Sequence, residues 1–337
     1  MSKEILDSII KNKQTDKNIF LLWGEEDYLR AYYKKNLSSL FMPENMPELN
    51  FYAFDGKEYS LAAVDEAIDT LPTFDENKLL IFDNSMIFKP SGAKAEVKEY
   101  WENKLKDIPQ NVYIIFNESE IDKRSTLYKF ISKNHIAAEF SYLEEGKMIK
   151  WTQTLFKKLG KSISAEDCTY LLSLCTDGMM TVKNEAEKLC SYAADRQTIT
   201  KDDINLLVTP KLEDKVFDMV GAMLSKNTDR AITLLRDLFA LKTEPIQILG
   251  AIMYNVEKLA CVKVLLDAKR TRPEIASTLK IAPFQANKYV DNATKFKEDE
   301  LNKLVKKTAE TDMLLKSNSM NNNVLLEVFI MEASSKH

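Results

Sequence analysis

Glycine, proline, histidine and cysteine are all scarce in this sequence, and each scarcity narrows the field. With 8 glycines and 9 prolines in 337 residues, a turn-dense all-β protein is disfavoured and helix is expected to dominate. The histidines are His135 and His337 alone, so hydrolase triads and histidine-based metal centres lack their raw material. Cys168, Cys175, Cys190 and Cys261 show no CxxC spacing and read as reduced, half-buried helix thiols, with no zinc ligand set. No window approaches the roughly 20 apolar residues of a membrane span. The opening "MSKEILDSIIKNKQTDKN" is charged and amphipathic, without the apolar segment of an export signal. A cytoplasmic chain with no membrane partner is expected.

What is present describes an ordinary globular protein: 45% hydrophobic and 29% charged residues, over a length sufficient for two or three domains with their own cores. The net charge of −4 is uneven. Residues 1–150 carry 20 basic against 26 acidic groups, and the remainder 27 against 25. Between Lys258 and Lys316 there are 13 basic and 8 acidic residues, a weaker bias than a free-standing DNA-binding domain carries. It fits DNA passing nearby in an assembly, and equally a solvated helix face.

The first 140 residues alternate. Apolar runs rich in β-formers lie at Ile19–Trp23, Leu49–Phe54, Lys78–Phe82, Val112–Phe116 and Ile136–Phe140, with helical spacing between them. Five strands joined by helical crossovers imply a doubly wound, largely parallel sheet covered on both faces. From about Tyr142 strand signals cease. "SAED" at Ser164 and "TKDD" at Thr200 have the form of helix N-caps, and residues 143–210 read as a small helical bundle. After a break at Thr209–Pro210–Lys211 come longer helices, with Pro245, Pro273 and Pro283 suited to first-turn positions. The fold class is therefore α/β plus all-α, divided 1–142, 143–210 and 211–337.

The stretch "NIFLLWGEEDYLRAYYKKNL", Asn18 to Leu37, begins as a strand, turn and helix of the kind that cradles phosphate. A phosphate loop needs several glycines, a lysine and a Ser or Thr; this turn offers Gly24, Glu25, Glu26 and Asp27. Three carboxylates facing a triphosphate, with no lysine to balance them, oppose binding. The letters Gly160–Lys161–Ser162 follow a helical run and lack the first glycine of such a loop.

"LLWGEEDYLR", "TLPTFDENKLLIF", "DKRSTLYKFI", "VKNEAEKLCSYA", "VFDMVGAM", "IAPFQANKYV" and "AETDMLLKS" occur in this order over nearly the whole chain. In that order they resemble the delta-subunit family of bacterial DNA polymerase III clamp loaders. The resemblance implies an AAA+-like amino-terminal domain that has lost ATP binding, a helical lid domain and a helical collar domain that joins a pentameric loader. It implies as partners the beta sliding clamp, the ATPase gamma/tau and delta-prime subunits, and primer-template DNA reached through the assembly. No cofactor and no metal are expected. Asn318 stands where the family pattern has glycine.

By the resemblance, the tip of "AIDTLPTFDENKLLIF" presents an apolar pair to the clamp, near its ring interface, and the matching residues are Leu71 and Phe74. Locally, Ala67, Ile68 and Leu71 are expected to close a helix that Pro72 ends, with Phe74 in the following turn; the competing reading is that Leu71 and Phe74 both pack under the sheet edge. In "IDKRSTLYKF", Asp122 is a candidate helix cap and Arg124 a candidate partner for a carboxylate. Lys263, Lys269, Arg270, Arg272, Lys280 and Lys288 are candidates to face DNA or neighbouring subunits, against solvated helix faces as the plain alternative. The stripe Leu301, Leu304, Val305, Ala309, Leu314 and Leu315 is core or collar packing. An alternative function, a divergent nucleotide-dependent ATPase, would use Asp83 and Glu25 as metal-holding carboxylates.

Overall fold

A computed structural model describes the chain apart from residues 1, 57, 58, 90, 176, 177, 211, 318–320, 336 and 337. Asn318 and His337 therefore lie outside the described residues. The chain divides into two compact units, one of residues 1–142 with 178–180, the other of residues 143–177 and 181–337.

The first unit runs α1 (Ser2–Asn12), β1 (Ile19–Trp23), α2 (Asp27–Phe41), α3 (Pro47–Asn50), β2 (Phe51–Asp55), α4 (Leu61–Asp69), β3 (Lys78–Asp83), α5 (Ala95–Lys104), β4 (Val112–Glu118), α6 (Thr126–Asn134) and β5 (Ile136–Glu139). Its five strands are all parallel, in the order β2-β3-β4-β1-β5. All five residues of β1 are buried, as expected of a central parallel strand covered on both faces. Strand periodicity sorts them. Ile19, Leu21 and Trp23 join Leu80, Phe82, Ile114 and Phe116 beneath Val64 and Ile68 of α4, Trp101 of α5, and Leu127 and Ile131 of α6. Phe20 and Leu22 point the other way, with Leu79, Ile81 and Ile115, onto Leu6 and Ile9 of α1 and Tyr33, Leu37 and Phe41 of α2.

The second unit continues with α7 (Glu145–Lys158), β6 (Ser162–Ile163), α8 (Ala165–Leu174), α9 (Met179–Ala193, whose first two residues fall in the first unit), β7 (Thr198–Ile199) and α10 (Lys201–Leu207). It ends with α11 (Leu212–Leu224), α12 (Thr228–Ala240), α13 (Pro245–Asp267), α14 (Arg272–Leu279), α15 (Pro283–Ala293), α16 (Glu298–Ser317) and α17 (Asn322–Ser334). Strand structure does not cease at Tyr142, because β6 and β7 pair in parallel; two residues each are too short to leave a periodic signal. The predicted caps form: Ser164 accepts from the Asp167 N–H at 2.9 Å, and Thr200 with Asp203 closes a capping box. Pro245, Pro273 and Pro283 occupy first-turn positions of α13, α14 and α15.

The α16 stripe is split by the structure. Leu301, Leu304 and Leu315 are buried, but Ala309 and Leu314 face outward, and Thr308 and Thr311 take their line. Both threonine hydroxyls are satisfied inside the helix, on the carbonyls of Leu304 and Lys307 at 2.8 Å. The cysteines are more varied than expected: Cys168 and Cys175 are buried and Cys261 is exposed. Burial pushes the Cys168 thiol up to about 12, which leaves it an inert core residue.

Candidate functional site

A ligand in a doubly wound fold ordinarily sits at the carboxyl ends of the strands. Here that end is occupied by the chain itself. The Gly24 N–H donates to Glu118 O at 3.1 Å, Phe140 N–H donates to Trp23 O at 2.7 Å, and Glu26 N–H donates to Phe140 O at 2.8 Å. The segment leaving β5 thus crosses the turn after β1. Gly24 has φ +128°, and a Cβ there would lie 2.4 Å from the Phe140 carbonyl oxygen, so glycine serves close backbone approach. The carboxylate of Glu26 caps α2, accepting from the Tyr28 N–H at 3.3 Å, and burial pushes its pKa up. The protein's own carboxyl group therefore holds the helix N-terminus that would otherwise receive phosphate.

Next to it lies a closed set of charges. Arg30 is buried and donates to Asn117 Oδ1 at 2.7 Å and to the Asp27 carboxylate. Asn117 in turn donates to Asp83, and Lys34 donates to both oxygens of Asp83 at 2.9 Å. Two cations and two carboxylates are linked across the ends of β3 and β4, although the buried Arg30 Nε has no hydrogen-bond partner among the described residues. Glu25 is exposed and takes no part in this set, whose carboxylates are Asp27 and Asp83. Among the described residues no three His, Cys, Asp or Glu side chains are grouped to hold a metal ion. Gly160–Lys161–Ser162 forms a helix-to-strand turn, with the Lys161 ammonium on the carbonyls of Ala194 and Arg196.

The opposite end of the sheet is built differently. Helix α4 stops at Asp69, and Thr70 takes an extended conformation, so Leu71 lies beyond the helix it was expected to close. Pro72 disfavours helical geometry at the residue before it. Leu71 is 84% and Phe74 76% exposed, which overturns packing under the sheet edge. The base of this tip is firmly held. Tyr100 donates to Asp65 at 2.7 Å, and Lys104 bridges Asp65 and Asp69 at 2.7 Å, tying α4 to α5. Lys78, buried at the start of β3, donates to Ala67 O at 3.0 Å and to Thr70 Oγ1, capping the carboxyl end of α4. Desolvation lowers the pKa of that lysine, opposed by the charges of Glu66 and Asp69.

Comparison with known proteins bears on the family and the fold. The family models described as "DNA polymerase III, delta subunit" and "DNA polymerase III delta subunit, C-terminal domain" match residues 20–141 and 213–333. The chain belongs to the DNA polymerase III delta-subunit family. The DNA polymerase III subunit delta of Bacillus subtilis is 26% identical over 320 residues, spanning 93% of this chain and 92% of the relative. A protein of Aquifex aeolicus named "Probable DNA polymerase III subunit delta" is 25% identical over 261 residues, 75% of this chain and 73% of its own. The solved structure of the Bacillus subtilis DNA clamp loader delta protein superposes with a TM-score of 0.78, 23% identity and 99% of each chain covered, and so shares the fold.

The six basic candidates of this delta-family chain are spread over three helices and their ends. Lys263 pairs with Asp267 at 3.2 Å on α13, and Arg270 with Glu274 at 3.2 Å. Arg272 joins α14 to α15 through Asp291 at 2.6 Å and Asn287 at 3.2 Å. Lys288 reaches Asp214 at 3.3 Å and lies 4.5 Å over the Phe217 ring. Lys269 and Lys280 occupy left-handed positions at the ends of α13 and α14. Ser125, not Asp122, caps α6, accepting from the Tyr128 N–H at 3.2 Å; the carboxylate of Asp122 is instead taken by Arg124. Sequence reasoning missed Lys78, Asn50 and Asp75 as supports of the tip. The buried start of a strand was the only available sign for Lys78, and Asn50 gave none.

Proposed function

We propose that this delta-family chain binds the beta sliding clamp through Leu71 and Phe74 and holds it open, so that an ATP-driven loader can place it on primed DNA during replication. The observation that carries this is the tip itself: two large apolar side chains, most of their surface in water, on a loop whose base is braced by α4, α5 and β3. Exposing such groups without a partner is unfavourable, and apolar anchors that enter a pocket are the usual form of an interface hot spot. Energy enters through partner subunits, because the end of the sheet that would bind nucleotide is filled by Glu26 and the Arg30–Asn117–Asp83–Lys34 set. The chain then acts as a non-ATPase component of the DNA-directed DNA polymerase holoenzyme.

In this reading residues 1–142 form the clamp-binding AAA+-like domain, 143–210 the lid and 211–337 the collar that assembles with the gamma/tau and delta-prime subunits. Lys263, Lys269, Arg270, Arg272, Lys280 and Lys288 are proposed contacts to primer-template DNA or to those neighbours. The test is co-elution of the purified chain with the sliding clamp of the same organism on gel filtration. Wild type is expected to shift the clamp and Phe74→Ala, at unchanged melting temperature, to leave it unshifted. A wild-type chain that does not shift the clamp contradicts the proposal.

A further inference from the structure

Asn50 is wholly buried at the end of α3, 23 residues before the tip, and its amide is engaged on both sides. Its Nδ2 donates to Thr73 O at 2.8 Å, and the Thr73 N–H donates back to Oδ1 at 2.8 Å. One side chain thus supplies the reciprocal pair of bonds that a neighbouring strand would supply. The same Nδ2 lies 3.3 Å from the carbonyls of Asn45 and Met46. On the far side of Phe74, Asp75 accepts from the Asn45 N–H at 2.8 Å with one oxygen, and from the Glu76 and Asn77 N–H groups at 2.7 and 3.2 Å with the other. Phe74 itself sits between these anchors in a left-handed backbone, φ +56°, and Met46 on the other loop is left-handed as well, φ +46°. Residues with a Cβ adopt that region reluctantly, so both conformations depend on being held.

We infer that Asn50 is the positioning residue of the tip: its buried amide, with Asp75, sets Leu71 and Phe74 in their clamp-binding geometry before the clamp arrives. The inference rests on the clamp-binding reading of those two residues. A loop fixed in advance leaves less conformational freedom to be lost on association, so loosening it lowers affinity without removing a contact.

The test is calorimetric titration of the sliding clamp into the full chain, as wild type, Asn50→Ala, Asp75→Ala and Phe74→Ala, with amide exchange at Thr73 and Phe74 followed in each free chain. Asn50→Ala and Asp75→Ala are each expected to weaken binding by about ten- to a hundredfold, through a less favourable entropy. The heat-capacity change of binding should stay at the wild-type value in these two and fall in Phe74→Ala, because only the latter removes apolar surface from the interface. Exchange at Thr73 in the free chain should be about tenfold faster or more in Asn50→Ala, since its N–H has lost its acceptor. Asp75 lies outside the core, so Asp75→Ala carries the affinity test even where Asn50→Ala lowers the folded fraction. Wild-type affinity in Asp75→Ala and in folded Asn50→Ala, or unchanged exchange at Thr73, overturns the inference alone. A wild-type chain that leaves the clamp unbound overturns the reading beneath it.

Discussion

The two ends of the amino-terminal sheet meet solvent in opposite ways. At the carboxyl ends of the strands the chain turns inward: Phe140 crosses Gly24, Glu26 caps its own helix, and Arg30, Asn117, Asp83 and Lys34 neutralise one another. At the amino end of β3 the chain turns outward, with Leu71 and Phe74 exposed on a tip whose backbone is fixed by Asn50 and Asp75. In the proposed clamp-binding reading, a fold whose ordinary ligand site is closed uses its rigidity at the other end. Binding surfaces gain precision when mounted on packed helices and strands, and here α4, α5 and β3 are the mount.

The largest effect is expected at the closed end. Gly24→Ala combines a φ of +128° with a Cβ driven against the Phe140 carbonyl, and should cost about 3 kcal/mol of folding stability or more, read from urea unfolding. At the open end, Phe74→Ala should leave the urea midpoint alone and weaken clamp binding by about 2 kcal/mol or more, with Leu71→Ala close behind, measured by calorimetry. Replacing Arg30 by Met sharpens the contrast: it leaves Asp27 and the Asn117 carbonyl oxygen short of a donor, and should destabilise the domain by about 2 kcal/mol without altering the tip's affinity for the clamp at temperatures where the domain stays folded.

The smallest effect lies away from both ends. The Arg196 guanidinium, with Thr200 adding its own hydrogen bonds, holds the Asp203 carboxyl down to about 2. A depressed folded-state pKa contributes stability that is present above the ordinary carboxylate value and is lost as the pH falls toward the depressed one. The start of α10 should therefore loosen only in acid, between about pH 4 and pH 2. Arg196→Ala should move the Asp203 titration, followed by NMR, up toward the ordinary range, with clamp binding untouched at neutral pH.

How much of this was legible in the sequence follows from how local each cause is. Strand Ile19–Trp23 reads out to the residue, because an apolar run ended by Gly24 is a local signal. The emptiness of the phosphate loop was equally plain from Gly24, Glu25, Glu26 and Asp27. What fills it was not, since Phe140 and Asn117 arrive from strands about a hundred residues away in sequence. Leu71 and Phe74 were pointed out by resemblance. Composition alone could not distinguish an exposed phenylalanine from a buried one, and the sheet-edge reading failed there. Asn50 was invisible for the same reason as Phe140: an asparagine near a short helix carries no sign that its amide will bond a main chain 23 positions later. Asp122 and Ser125 are both good cap residues, and only the pairing of Asp122 with Arg124 decides between them.

The central claim is that this chain works through the open end of its sheet while the closed end stays out of the chemistry. It is tested most directly by measuring the equilibrium affinity of the sliding clamp for the full chain in nucleotide-free buffer, as wild type and as the Leu71→Ala, Phe74→Ala double variant. The account predicts that wild type binds without nucleotide and that the double variant, equally stable, binds at least about a hundredfold more weakly. A wild-type chain that needs nucleotide to bind, or a double variant that binds like wild type, would contradict it.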